Sequence, residues 1–370
     1  MDNVMFPGYG WSLKITPIFS TSNVVVQVLM LAASSLELLS SIVMINIASI
    51  ITVAGGGLLL LSCQTELATF WTRYSFACSG CIALGCCCGA LNSACGSLAG
   101  SLVARYGGDL VNMHGSGITL AGVLASGMAL LLEGMISKAF GSAALFSTTV
   151  LLGLCCVAGV IALSRSGALQ PLRRGEGEEL SIEVSDVNVP KTAARETPSA
   201  NGAPSMLSSI RRGWQQEANL FVMFVQTFLV FPGVMLQWKP NVIEGSFVLV
   251  MISAFQIGEV LGRFSFPLLL GPRGRHVWKM VFLRFLVLLP IFWAWQQPDG
   301  IFAGFVWELM SMALLGWSQG YLTSLIFLRG MTECLPSDTE ALGQFLPLIL
   351  NIGIVTGSYL SDYIIAGYST

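Results

Sequence analysis

Three polar side chains interrupt a long apolar stretch of this sequence and could bind a polar ligand. The stretch covers residues 246–270, and within it Gln256, Glu259 and Arg263 follow one another at intervals of three and four residues. In a helix this spacing places the three side chains on one face. A guanidinium donates hydrogen bonds through a rigid fork, a carboxylate accepts them, and an amide does both. The pattern therefore indicates a site for a ligand that carries several donors and acceptors.

The pair formed by Glu259 and Arg263 admits two interpretations. A charge at the centre of a bilayer costs at least about 2.5 to 3.5 kcal/mol, so charged residues there usually face a cavity and find a partner. In the first interpretation the pair only locks two helices together. In the second, which we favour, it lines a water-filled path, where Arg263 donates to substrate oxygens and Glu259 orients it or accepts a substrate hydroxyl.

Composition places the chain in a lipid bilayer. Of its 370 residues 54% are hydrophobic and only 10% are charged, with a mean hydropathy of +0.74, whereas about 25% of a soluble protein is charged. This predicts an all-α polytopic membrane protein. The sequence has no basic patch for nucleic acid, no Walker loop and no His-Glu-x-x-His motif, so we expect neither an enzyme nor a bound cofactor.

Apolar runs long enough to cross a bilayer predict ten spans. Five of them form an N-terminal bundle over residues 19–165 and five a C-terminal bundle over 214–370, after an extracytoplasmic segment over 1–18. A flexible cytoplasmic loop is expected over 166–213, which is rich in Arg, Glu, Ser and Pro. The spans are predicted near 19–36, 42–62, 75–103, 116–137, 143–165, 215–236, 246–270, 279–297, 303–329 and 341–366.

Loop charges orient the spans. Most Lys and Arg residues outside the spans lie on the side of the 166–213 loop, and the other side carries Lys14, Arg73, Lys138 and Lys239. The excess of positive charge marks the cytoplasmic side. With ten spans both termini would then lie outside, which suggests that a first helix is absent from this sequence. The alternative is a ten-helix protein with both ends outside.

Cysteines and glycines in the spans are expected to serve helix packing. Cys78-x-x-Cys81 and Cys86 to Cys88 lie in a Gly/Ala/Ser-rich run that contains no His, so small packing residues are favoured over metal ligands. The pairs Gly85/Gly89, Gly96/Gly100 and Gly353/Gly357 have the spacing that lets two helix backbones approach closely.

Isolated polar residues are expected to be solvated. Arg284, a few residues into its span, is predicted to extend to the cytoplasmic surface. His114 precedes a span in a turn and is expected to be a solvated histidine rather than a proton relay. Asp109, Glu133 and Asp362 lie near span ends and are likewise expected to be hydrated.

Five stretches resemble motifs of the equilibrative nucleoside transporters. Phe255-Gln-Ile-Gly-Glu-Val-Leu-Gly-Arg263 resembles the family's eighth helix, and Ser318-Gln-Gly-Tyr-Leu-Thr-Ser324 resembles its tenth. The other stretches agree in order with the family's fifth helix, the end of its seventh and its ninth; they are Gly115-Ser-Gly-Ile-Thr-Leu-Ala-Gly-Val-Leu-Ala-Ser126, Phe231-Pro-Gly-Val234 and Arg284-Phe-Leu-Val-Leu-Leu-Pro290. Thr339 to Gly343 resembles the entry to the last helix and Asn23 to Met30 the second, so the resemblance covers about residues 19–366.

The resemblance implies a major-facilitator-like bundle in two halves that moves nucleosides or nucleobases by alternating access, with ten of the family's eleven helices present. Arg263 and Glu259 fall on the family's ribose-binding pair, with Glu in place of the usual Asp, and Gln256 falls on the usual Asn. Met30 falls on a cavity-lining position, and Cys95 falls where a Gln often contacts the base.

Several alternatives remain open from the sequence. The chain could be a truncated membrane protein that does not transport, or a carrier of another small polar solute. A buried carboxylate at Glu259 raises the hypothesis that protons are a coupling ion. The plasma membrane is the favoured location and an intracellular membrane is the alternative.

Overall fold

A computed structural model of the protein is almost entirely helical in the residues it describes. These are residues 12–35, 41–63, 70–106, 115–128 except 125, scattered positions between 147 and 165, 206–238, 247–265, 276–332 except 303, and 339–368. In chain order the helices are α1 (Ser12–Ser35), α2 (Ser41–Cys63), α3 (Phe70–Tyr106), α4 (Gly115–Met128), α5 (Met206–Val230), α6 (Phe247–Ser265), α7 (Val277–Leu283), α8 (Phe285–Gln296), α9 (Phe305–Thr332) and α10 (Thr339–Tyr368).

Several of these helices are long and apolar enough to span a membrane. Within the described residues six segments qualify: Val43–Ser62, Tyr74–Gly100, Gly213–Gln237, Phe247–Ser265, Val277–Gln296 and Ala341–Gly367. A span needs about 20 apolar residues, and a helix satisfies all its backbone hydrogen bonds internally, which no open strand in lipid can do. The chain is thus an integral, multi-pass helical membrane protein. The total of ten spans stays a prediction, since most of 143–165 lies outside the described residues.

Two helix starts differ from the predicted boundaries. α5 begins at Met206, inside the stretch expected to be a flexible loop, and α1 begins at Ser12, inside the expected N-terminal segment. The first turns of α5 are polar, but Gly213 and Gln216 are buried while Trp214 is exposed. A helix can therefore extend past its apolar part because one face still packs, a signal that average hydropathy does not carry.

The C-terminal helices pack around two clusters of buried apolar residues. One cluster joins α5, α7, α9 and α10 through residues such as Leu220, Ile326 and Leu346. A second joins α5, α6, α8 and α9 through Val230, Met251 and Met312. These contacts hold α6 and α9 side by side, and α6 carries the predicted site.

The N-terminal helices contact the C-terminal ones through α10. In addition to α5, α10 packs against α1 and α3. At Gly96 of α3 and Gly343 of α10 the two backbones are in direct contact, since a Cβ on either glycine would overlap the carbonyl of the other. The absence of side chains at this crossing lets the helices approach closely.

Candidate functional site

Glycines fix the position of α6 against α9. A Cβ on Gly258 or Gly262 of α6 would overlap the backbone of α9, and a Cβ on Gly316 or Gly320 of α9 would overlap the carbonyls of Phe255 and Glu259. We call these four positions the glycine seam. The seam brings the two backbones into contact and orients the neighbouring face of α6, which carries Gln256, Glu259 and Arg263.

The predicted ion pair is present on this face. Arg263 Nη2 donates to Glu259 Oε1 over 2.9 Å. The Arg263 side chain is 8% exposed and that of Glu259 is 13% exposed, so both charges are largely removed from solvent. Arg263 Nε is buried and has no hydrogen-bond partner within the described residues. The guanidinium therefore keeps a donor beyond the one that Glu259 occupies.

A threonine from the N-terminal helices reaches the same carboxylate. Thr119 Oγ1 of α4 lies 3.1 Å from Glu259 Oε1 and 3.1 Å from the carbonyl of Gly115. The hydroxyl has one proton to donate, so these two acceptors share it. Glu259 is thus oriented by Arg263 on its own helix and by a group from the other part of the chain.

α4 is shaped to fit the polar face of α6. A Cβ on Gly115 would lie 2.5 Å from Arg263 Nη1, and a Cβ on Gly122 would lie 2.6 Å from Gln256 Oε1. With Thr119 opposite Glu259, the two helices run antiparallel, and each polar side chain of α6 faces a small or hydroxyl-bearing residue of α4. The Gly-rich segment after residue 114 therefore provides the space in which the three polar side chains lie.

Arg284 is buried, and the prediction that it extends to the surface is wrong. The residue is 2% exposed and stands between α7 and α8. Its Nε donates to Ser318 Oγ over 2.9 Å, Nη1 to the carbonyl of Met223 over 2.8 Å and Nη2 to that of Leu315 over 3.1 Å. Because these carbonyls belong to α5 and α9, the guanidinium joins three parts of the C-terminal bundle. A single sequence position cannot reveal acceptors supplied by other helices.

Each residue of the Ser-Gln-Gly-Tyr segment of α9 makes a different contact. Ser318 accepts from Arg284, and Gln319 Oε1 accepts from Thr227 Oγ1 of α5 over 2.6 Å. Gly320 belongs to the glycine seam, and the Tyr321 ring stacks on Trp317 with centroids 5.7 Å apart. The motif therefore holds α5, α6 and α8 around α9.

Comparison with known proteins identifies the family of this chain. The "Nucleoside transporter" family model matches residues 82–366, which include α4, α6, α9 and the ion pair. The chain belongs to the nucleoside transporter family.

Individual relatives agree with that assignment. The chain is 29% identical over 141 residues to equilibrative nucleotide transporter 2 of Arabidopsis thaliana, covering 37% of this chain and 33% of the relative. It is 26% identical over 176 residues to human equilibrative nucleoside transporter 2, covering 44% and 38%, and 24% identical over 176 residues to equilibrative nucleoside transporter 1 of Rattus norvegicus, with the same shares. These matches span well under half the length of the relatives.

In this member of the nucleoside transporter family, Met30 and Cys95 lie together, apart from the ion pair. Both pack against a small apolar cluster formed by Met44, Ile45 and Ala94. The cluster belongs to α1, α2 and α3, whereas Gln256, Glu259 and Arg263 contact α4. The five predicted site residues thus form two groups, one on each side of the contact between N-terminal and C-terminal helices.

The remaining predictions have mixed outcomes. The glycine pairs pack as expected: Cβ atoms on Gly85 and Gly89 would overlap the carbonyls of Phe19 and Asn23. Cys81 packs with Leu59, in agreement with a packing role for that cysteine. Asp362 is partly buried. His114, Asp109 and Glu133 lie outside the described residues.

Two sets of buried polar residues were not among the site residues predicted from the sequence. Thr119 lies within the Gly-rich motif, and its spacing from Gly115 and Gly122, at four and three residues, was the available signal for a shared helix face. Asn23 and Gln27 of α1 are 3% and 1% exposed and are four residues apart. Two amides four residues apart in an apolar run predict a polar helix face, just as Glu259 and Arg263 do in α6.

Proposed function

We propose that this protein moves nucleosides or nucleobases across a membrane by alternating access. The observation that carries the proposal is the Glu259–Arg263 pair, buried between α4 and α6 in a chain of the nucleoside transporter family. The names of the relatives, equilibrative nucleoside and nucleotide transporters, support the same class of substrate.

In the proposed site the ion pair binds the sugar. Vicinal hydroxyls both donate and accept, so one can accept from the free donors of Arg263 while another donates to Glu259. Gln256, one helical turn away, adds an amide to the same face. Met30 and Cys95 form an apolar surface on the opposite group of helices, against which a planar base can pack.

The proposed architecture is a bundle in two halves, over 19–165 and 214–370, joined by the cytoplasmic segment over 166–213. Ten spans and the plasma membrane are part of this proposal. Contact between the halves through α4 and α6, and through α1, α3 and α10, supports it, because a central site between two halves is what rocking of one bundle against the other requires.

Uptake in cells without nucleoside transport tests the proposal. We expect expression of the full chain to raise uptake of radiolabelled adenosine or uridine, and Arg263→Ala to abolish it at equal surface expression. A matched control is Phe264→Leu, since Phe264 is 66% exposed on the same helix. Absence of uptake for purine and pyrimidine ligands alike would favour the non-transporting protein, or a carrier of another polar solute.

Proton coupling through Glu259 is a separate hypothesis. In the described structure the carboxylate is oriented by Arg263 and Thr119, and a coupled cycle would have to replace these partners with a proton. Uptake that rises with an inward proton gradient and falls with a protonophore would support coupling. Uptake insensitive to both would reject it while leaving the transport proposal intact.

A further inference from the structure

α1 carries a second polar face, which the ion pair does not use. Asn23, Gln27 and Met30 are spaced by four and three residues and so lie along one side of the helix. Asn23 is 3% exposed and Gln27 is 1% exposed. This side faces α3 and α10, since α1 packs against both. The two amides therefore lie where N-terminal and C-terminal helices meet.

The amide of Asn23 is held in a defined orientation by α10. Asn351 Nδ2 donates to the carbonyl of Pro347 over 2.8 Å, which turns Asn351 Oδ1 toward α1. Asn23 Nδ2 donates to that oxygen over 3.2 Å. The Oδ1 atom of Asn23 is consequently left as an acceptor; it is buried and has no partner in the part of the chain that the structure describes.

Among the described residues, Gln27 has no hydrogen-bond partner at either end of its amide. Both Oε1 and Nε2 are buried and unpaired, although buried polar groups are paired in the great majority of cases. Together with Asn23 Oδ1, this side of α1 offers two acceptors and one amide donor. Met30 and Cys95 supply apolar surface beside them.

The geometry points to Gln27 and Asn23 as the residues that recognise the base of the substrate, with selectivity for bases that carry an amino group next to a ring nitrogen. Adenine and cytosine have this arrangement. The amino group donates to Gln27 Oε1 and Asn23 Oδ1, and the ring nitrogen accepts from Gln27 Nε2. The inference rests on the proposed function, because separation of α1 from α10 during alternating access is what exposes these amides.

A keto group in place of the amino group satisfies this site less well. The oxygen of hypoxanthine can accept from Gln27 Nε2 and its ring N–H can donate to Oε1, but no donor is left for Asn23 Oδ1. A buried acceptor that stays unpaired in the complex weakens binding. The carrier should therefore favour adenosine over inosine, which differ at this position.

Competition measurements on the full chain test the inference. Unlabelled adenosine and inosine compete with labelled adenosine uptake in wild type, Gln27→Met and Gln27→Leu. We expect wild type to favour adenosine about tenfold and both variants to lose most of that preference. Val28→Leu, at a 48% exposed position of α1, should keep it.

Thermal unfolding of the purified chain separates recognition from a structural role. Both Gln27 variants remove an unpaired buried amide, so their unfolding temperature should rise while adenosine stabilises them less than it stabilises wild type. A preference that persists unchanged in both variants would overturn the inference and leave transport standing. A wild-type chain that neither transports nor is stabilised by any nucleoside would overturn both.

Discussion

Glu259 shows how the chemistry of one residue depends on partners far away in the chain. Its carboxylate accepts from Arg263 one turn away on α6 and is also contacted by Thr119, 140 positions earlier. The first contact follows from helical spacing and could be predicted. The second depends on how α4 packs, which one sequence does not specify. The same limit explains why Arg284 was expected at the surface, although Met223, Leu315 and Ser318 accept from it.

Removing the Thr119 hydroxyl should weaken substrate binding. Thr119→Val keeps the shape of the side chain but, among the described residues, leaves Glu259 with Arg263 alone as a hydrogen-bond partner. We expect the KM for nucleoside uptake to rise about fivefold, which corresponds to loss of roughly 1 kcal/mol, with little change in surface expression. Thr119→Ser should restore the wild-type KM. An unchanged KM in Thr119→Val would show that the contact with Glu259 does not serve binding.

The contacts of Arg284 should matter for stability. Ser318→Ala removes one charge-assisted hydrogen bond and should lower the free energy of unfolding by about 1.5 kcal/mol. Arg284→Met removes all three hydrogen bonds that the guanidinium donates, so its loss should be larger, about 3 kcal/mol or more. Denaturation of the purified protein in detergent measures both. Equal stability of wild type and Arg284→Met would contradict the buried role.

For the helices, glycine spacing predicted where backbones pack closely, whereas polar content did not predict where helices begin. The sequence indicated close packing at Gly85/Gly89 and Gly353/Gly357, because the spacing of four residues defines a helix face, and the structure agrees. It gave no indication of which helix each face would meet. It also predicted too late a start for α5, which begins at Met206, because the residues before Gly213 are largely polar.

The glycine seam predicts that a glycine-to-alanine substitution lowers stability inside the seam but not outside it. An alanine at Gly316 would place its Cβ against the carbonyl of Phe255, so Gly316→Ala should destabilise the protein by about 1 to 3 kcal/mol. Gly57 of α2 has nothing within 4 Å of an added Cβ. Gly57→Ala should be neutral or stabilise by up to about 1 kcal/mol, because alanine is the better helix former. Thermal unfolding measures both variants. Equal unfolding temperatures would contradict close backbone contact at the seam.

α4 allows a similar comparison for function. Gly122→Ala would press on the Gln256 amide, the flexible end of a side chain, so folding should be kept while Gln256 is displaced from its position. Gly117 of the same helix has open space around an added Cβ. We expect uptake at equal expression to fall several-fold in Gly122→Ala and to stay unchanged in Gly117→Ala. Equal uptake in the two variants would mean that the fit of α4 to Gln256 has no role in transport.

For the whole molecule, the predicted site residues divide into two groups, one on the N-terminal helices and one on α6. Arg263, Glu259 and Gln256 face α4, whereas Met30 and Cys95 lie with α1 to α3. Composition was enough to predict a helical membrane protein, and the motifs were enough to predict its family. The contacts of α4 with α6, and of α1 and α3 with α10, come from packing between distant segments, which no local pattern encodes.

Counterflow in proteoliposomes tests whether the protein transports by alternating access. Vesicles containing the purified chain are loaded with unlabelled uridine and diluted into labelled uridine at low concentration. A carrier that exposes one site to each side in turn exchanges the two pools, so we predict transient accumulation of label above its equilibrium level, and none with Arg263→Ala. Label that only rises to equilibrium, or entry that Arg263→Ala leaves unchanged, would contradict the account.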